Sequence, residues 1–240
     1  MLVAAAVCPC PPLLVPEVAA GAAPELDALR AACLDAVAVL AAARPDRLVV
    51  VGPAATEGRG TYREGAAGSF RSLGVDLDVR LGRDGEAGEP EDDRQLPQSL
   101  AVAAWLLERT RWATAPVEGL GVGERLETER CLGAGRELAD GAGRVALLAM
   151  GDGSACRTVK APGYLDERAE PFDAEVARAL GAADTAALAA LEAEPAHELK
   201  AAGRASWQVL AGAAEGAGLS GQLLYDDAPY GVGYFVASWS

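Results

Sequence analysis

Histidine is nearly missing from this chain: His197 is the only one in 240 residues. That excludes any site built from two or more imidazoles of one chain, which removes most histidine metal centres and histidine relays. Basic residues are also few. Lys and Arg number 21 against 35 Asp and Glu, leaving a net charge of −14. Phosphate neutralisation carries most nucleic-acid affinity, so no nucleic-acid partner is expected, and an anionic membrane surface would repel the chain. No apolar run approaches the roughly 20 residues that span a bilayer. Aromatics make up only 5% of the chain, so the core must be built from small side chains, largely alanine. The five cysteines (8, 10, 33, 131 and 156) are odd in number and form no CxxC pair. They read as free thiols in a reducing cytoplasm. Met1–Cys8 lacks the basic start and the long apolar stretch of a secretory leader, and Val7 is bulky where such a leader needs a small residue. A cytoplasmic location is the expectation.

What the chain does have is a repeated strand–helix pattern. Leu2–Val7, Arg47–Val51 and Val145–Met150 are continuous apolar runs, the mark of parallel strands buried on both faces. Between and after them, apolar residues at helical spacing predict helices over Glu25–Ala43, Gln98–Arg111, Glu124–Ala139, Phe172–Leu180, Thr185–Glu192 and His197–Ala214. Pro24 suits the first turn of the first helix. Ser72–Leu81 alternates as a half-exposed strand, Ala113–Val117 is a weaker strand, and Gln222–Tyr225 and Tyr234–Ala237 close the chain. Thr56–Gly68 reads as a loop, and Arg83–Asp93 as an acidic, glycine-rich mobile stretch. The alternation predicts one domain over residues 1–240. Its fold class is α/β: a three-layer α/β/α sandwich with a mostly parallel or mixed central sheet.

Polar or proline-rich loops follow the three buried strands, at Cys8–Pro12, Gly52–Thr56 and Gly151–Arg157. If the strands are parallel, these loops share one rim, where open α/β sheets bind ligands. The turn Asp226–Gly233 is placed to face them.

Four blocks on those loops carry a family resemblance. Pro9-Cys10-Pro11-Pro12-Leu13 resembles a Pro-His-Pro-Pro-Leu opening. Val49–Ala54 is similar to a strand that ends in Ser-Pro-His. Met150–Arg157, with Pro162-Gly163-Tyr164 and Phe172-Asp173 after it, resembles a Gly-Asp-Leu-Ser-His block and the Phe-Asp that follows. Asp227-Ala228-Pro229-Tyr230-Gly231-Val232-Gly233-Tyr234 resembles a closing Glu-Ala-Pro-Phe-Gly-Val-Gly-Tyr. Their order and reach across the chain resemble the class III extradiol ring-cleavage dioxygenases, the LigB-like superfamily that includes Memo-like proteins. In active members two histidines and a carboxylate hold Fe(II), with a further histidine as acid/base.

Carried over position by position, the resemblance implies a degenerate site. The first histidine ligand falls on Cys10, the second on Ala54 (Ala55 if the register slips by one) and the acid/base histidine on Ala155. The carboxylate ligand falls on Asp227. No Fe(II) or other cofactor is therefore expected. The expected function is a dioxygenase-like protein that has lost its iron site and serves as a non-catalytic binding or interaction module. Its pocket would be formed by Cys10, Ala54, Asp152, Ser154, Ala155, Cys156 and Asp227, with a small aromatic or polar molecule as ligand.

The alternative is an enzyme with altered chemistry in the same pocket. It would use a thiol at Cys10 or Cys156 or a soft metal such as Zn, for which Cys10 and Asp227 are weak candidates. Arg157 and Lys160 are placed to lower the Cys156 pKa. Residual ring cleavage with a partner subunit, and a homo-oligomer supported on apolar helix faces, complete the alternatives.

Other features have plainer readings. His197 suits the start of a helix on the surface. Asp152 and Ser154 suit a turn and a cap. Gly119-Leu120-Gly121-Val122-Gly123 has the wrong spacing for a phosphate loop. The four tryptophans suit the core, and the Arg204–Trp207 segment is within reach of the pocket.

Overall fold

The structure, a computed structural model, describes residues 1–83, 94–141 and 143–240. In chain order it contains β1 (Leu2–Cys8), α1 (Pro16–Ala19), α2 (Asp27–Ala42), β2 (Arg47–Pro53), β3 (Gly60–Tyr62), β4 (Ala67–Ser69), β5 (Asp78–Arg80) and α3 (Gln98–Arg109). There follow β6 (Val117–Val122), α4 (Thr128–Asp140), β7 (Val145–Met150), α5 (Ala169–Ala182), α6 (Thr185–Ala189), α7 (Ala193–Glu198), α8 (Arg204–Ala213), β8 (Gly221–Asp227) and β9 (Tyr234–Trp239).

Seven strands form one mixed sheet in the order β3-β6-β2-β7-β1-β9-β8. The central four, β6, β2, β7 and β1, are parallel. β3 and β9 run antiparallel to their neighbours at the two sides, and β8 pairs antiparallel with β9. The fold is thus an α/β sandwich with a mostly parallel core.

Successive strand residues point to opposite faces, and the alternation here is clean. Ala4, Ala6, Cys8, Leu48, Val50, Ala146, Leu148 and Met150 join the core under α2 and α3. Ala5, Val7, Val49, Val51, Leu147 and Ala149 join the opposite core under α4, α5 and α8. Trp207 and Trp239 are fully buried in that second core, and Trp105 and Trp112 are buried in the first.

Several sequence expectations are corrected. Thr56–Gly68 is not a plain loop. Gly60, at φ +113°, starts β3 against β6, and β4 begins at Ala67. Ser72–Leu81 is not one strand, because a helical turn at Arg71–Leu73 ends on left-handed Gly74. Only Asp78–Arg80 is extended, and it pairs with β4 outside the main sheet. The strand expected at Ala113–Val117 starts where that range ends. Its glycines are needed for packing: a side chain at Gly121 would stand 2.1 Å from the Gly58 carbonyl oxygen.

Pro24 lies inside a 3-10 turn over Ala20–Leu26 that precedes α2, and α4 starts four residues later than expected. His197–Ala214 is two helices. The chain breaks at Lys200, whose φ is +57°, and restarts beyond Gly203, which packs on the Trp207 ring. His197 therefore sits exposed in the last turn of α7 rather than at a helix start. The expected mobile stretch at 83–93 lies, beyond Arg83, outside the described residues. No helix among the described residues is long and apolar enough to cross a membrane.

Candidate functional site

Parallel pairing puts the loops after β2, β7 and β1 along one edge of the sheet, and the strand registers fix which residues stand level there. Cys8 pairs with Met150, Val51 with Ala149, Val7 with Ala237, and Asp227 with Tyr234. Continuing each register past the strand ends gives one transverse row: Ala54, Asp152, Cys10, Tyr234, Asp227. Strand parity turns the central members toward the α2/α3 side, where Cys10 and Tyr234 belong to the core. The Cys10 amide donates to Asp152 Oδ1 at 2.7 Å, which ties the row at its centre.

Asp152 is the electrostatic centre of this edge. Its position under the rim strips water from the carboxyl and pushes its pKa up to about 7, opposed only by the Cys10 amide. No cation contributes at Asp152. Its second oxygen accepts no hydrogen bond from the described residues, and the residue keeps a partly exposed edge. Tyr234 in the same row is only 3% exposed. Burial, and then the Asp152 charge, hold the Tyr234 phenol protonated well above its ordinary range. Tyr230 and Tyr225 push it in the same direction. Tyr234 was missed as a site residue in the sequence because its place depends on the register of a distant antiparallel strand.

The remaining expected site residues divide into two groups. Ser154, Ala155 and Cys156 anchor the loop after β7 to its surroundings. Ser154 donates its amide and hydroxyl to Asp173 at 2.8 and 2.7 Å, and Arg157 donates to the same carboxylate at 3.3 Å. Ser154 is thus a tie to α5 rather than a cap. The Ala155 amide donates to Leu199 O, and its carbonyl accepts from Gly163.

Cys156 is buried against Ala169 and Leu199. Its thiol is raised in pKa by burial first and then by Asp166 and Asp173, with Lys200 and Arg168 pulling the other way. The expected activation by Arg157 and Lys160 is therefore overturned, because desolvation outweighs the nearby cations. Cys10 is likewise held well above the ordinary thiol range by burial, Asp152, Glu124 and Cys8. Arg204 does not reach out to the rim. It is buried and engaged with Gln208 and with the carbonyls of Glu124 and Leu126.

At the far end of the row, Asp227 is exposed, and its Oδ1 accepts from the Ala228 amide at 2.7 Å. The donor set can be tested against the ferrous triad that the resemblance implies. Cys10 offers a protonated thiol, Ala54 and Ala155 offer no donor atom, and Asp227 caps its own turn. Among the described residues, no three His, Cys, Asp or Glu side chains converge as metal ligands. These residues do not fit that metal.

A cleft of about 460 Å³ opens beside Ala54 and Ala55, bounded by Glu57, Gly58 and the Arg94–Gln98 segment. A larger hollow of about 750 Å³ lies against the β4–β5 hairpin and contains none of the row residues. The first has the size of a small-molecule site and adjoins the rim; the second shares Gln95 with the first but touches no residue of the row.

Comparison with solved structures finds an uncharacterized protein of Escherichia coli K12. Its crystal structure matches with a TM-score of 0.50 at 12% identity, covering 99% of this chain and 99% of that one. The likeness concerns the fold alone. No family model and no curated protein matches the chain.

Proposed function

We propose that this chain is an extradiol-dioxygenase-like protein whose rim has lost its ferrous site and binds a small polar or aromatic molecule instead. One observation carries the reading. The row Ala54–Asp152–Cys10 brings two positions that the resemblance assigns to iron ligands level with a deep carboxylate, and neither offers a metal-binding imidazole or thiolate. The five cysteines, all buried and free, support a place in the reducing cytoplasm.

A second reading is favoured by one property of Asp152. A carboxyl with a pKa of about 7 suits general acid–base work near neutrality. The raised Cys10 and Cys156 thiols speak against the thiol-dependent form of that alternative.

Anaerobic calorimetric titration with Fe(II) tests the leading reading. The parent protein is expected to bind no stoichiometric iron, and the triple variant Cys10→His, Ala54→His, Asp227→Glu to gain at least tenfold in ferrous affinity. One Fe(II) per parent chain, lost in Asp227→Ala, would overturn the reading. A triple variant that folds and gains nothing would overturn the assignment of these positions.

A further inference from the structure

We infer that the loop between β7 and α5 docks onto the same loop of a second copy of this chain, across a two-fold axis. The inference is independent of what the rim binds.

Few large apolar side chains are left in water here. Among the described residues they are Met1, Leu73, Val159, Tyr164 and Leu165. Val159, Tyr164 and Leu165 belong to this one loop, at 57%, 65% and 47% exposure. Single exposed apolar residues are ordinary, but a group of them marks an interaction surface.

The loop is not slack. The Asp166 amide donates to Cys156 O at 3.0 Å and the Gly163 amide to Ala155 O at 2.8 Å, which closes its base. Two tight turns shape its tip: Ala161 N–H donates to Thr158 O, and Tyr164 N–H to Ala161 O. The Arg157 amide ties it to Gly231 O, and Lys200 Nζ donates to Pro162 O. The backbone is thus held in place while the apolar side chains stay outside.

The Tyr164 backbone points the same way. Its φ is +62°, a left-handed conformation that a bulky residue adopts at a cost and glycine adopts freely. The ring stands largely in water, so its own chain offers little packing to offset that strain. Strain of this kind gathers at functional positions, and rigid aromatic side chains are common anchors of protein interfaces.

Charge selects the partner. The chain carries −14 overall, so most of its surface repels a second copy. Residues 157–170, with the adjoining segment 197–200, are balanced instead. Arg157, Lys160, Arg168 and Lys200 stand against Asp166, Glu167, Glu170 and Glu198. Within the chain Arg168 pairs with Asp166 and Glu198, and Arg157 with Glu170 and Asp173. Lys160 and Glu167 take part in none of these pairs. A two-fold contact presents the same patch on both sides, so Lys160 of each copy can meet Glu167 of the other. A strongly acidic or basic partner finds no net charge to follow here, whereas a second copy finds both signs around apolar side chains.

Sedimentation velocity on the full-length protein from about 1 to 100 μM, a range that reads a modest interface, tests this. At the upper end the parent is expected to sediment at twice the 24.5 kDa of one chain. Tyr164→Gly removes the ring and relieves the backbone, so its thermal melt at the dilute end should be no lower than the parent's, while its dimer weakens about tenfold or more. Leu165→Asp should also weaken the dimer. Leu73→Asp, outside this loop, should leave it intact. A parent that stays monomeric at the upper end would overturn the inference and leave the loop to a different partner. A dimer unaffected by Tyr164→Gly and Leu165→Asp, or lost in Leu73→Asp, would overturn it by placing the interface elsewhere.

Discussion

Gly212→Ala is expected to destabilise the protein by about 4 kcal/mol or more, enough to unfold a domain of ordinary stability. A Cβ there would stand 2.2 Å from the Leu132 carbonyl oxygen and 2.7 Å from the Leu132 Cα across the α4–α8 crossing. Both are backbone atoms, so no side-chain rotation relieves the clash. The contact is reciprocal: a Cβ at Gly135 of α4 would lie 2.1 Å from Val209 O on α8. Two glycines, one from each helix, thus set how closely this pair packs. That is one way a chain with few aromatics closes a core, by near approach of backbones instead of large side chains.

Gly133, in the same helix α4, is the matched control. A Cβ there meets nothing within 4 Å, so Gly133→Ala should stabilise by about 1 kcal/mol through helix propensity alone. Urea denaturation of the two variants reads both effects. A Gly212→Ala protein as stable as the parent would show that the helices are not held at this distance.

The second large effect concerns Asp152→Asn and has a definite sign. The folded-state pKa of about 7 lies above that of an unfolded aspartate. Between the two values the native state therefore holds a proton that the unfolded state has released. By linkage, the group is tolerated best at low pH, and stability falls as pH rises through this window. Asparagine carries no charge to desolvate and can still accept from the Cys10 amide. At pH 8 the variant should be the more stable protein by about 4 kcal/mol, and near pH 4 the difference should nearly vanish. Asp173 and Asp226 are also raised by burial. They are present in both proteins, so the difference isolates Asp152. Chemical denaturation at four pH values checks this, and a difference independent of pH would contradict it. A residue whose removal stabilises the fold marks a candidate functional site, because such groups are kept at a cost in stability.

Much of the fold was legible because its core strands are uninterrupted apolar runs. Arg47–Val51 and Val145–Met150 were recognisable as doubly buried, and parallel pairing of such strands carries their loops to one edge. What could not be read locally was anything that depends on long-range register. Tyr234 becomes level with Cys10 only through the antiparallel pairing of β9 with β1. Asp152 looked like a turn former, since only the three-dimensional burial of that turn changes its chemistry. The alternation over Ser72–Leu81 suggested a longer strand than the chain forms, because left-handed Gly74 interrupts it. Cys156 was misjudged for the reverse reason: two cations close in sequence promised an activated thiol, and burial against Leu199 prevailed.

The central claim is that a carboxylate without a charge partner among the described residues organises this rim. Carboxyl-carbon NMR on protein labelled at aspartate tests it most directly, with Asp152 assigned by its loss in Asp152→Asn. The account predicts a titration midpoint near 7 for that carbon. A midpoint in the ordinary aspartate range, near about 4, would mean that Asp152 is solvated or already paired, and would contradict the account.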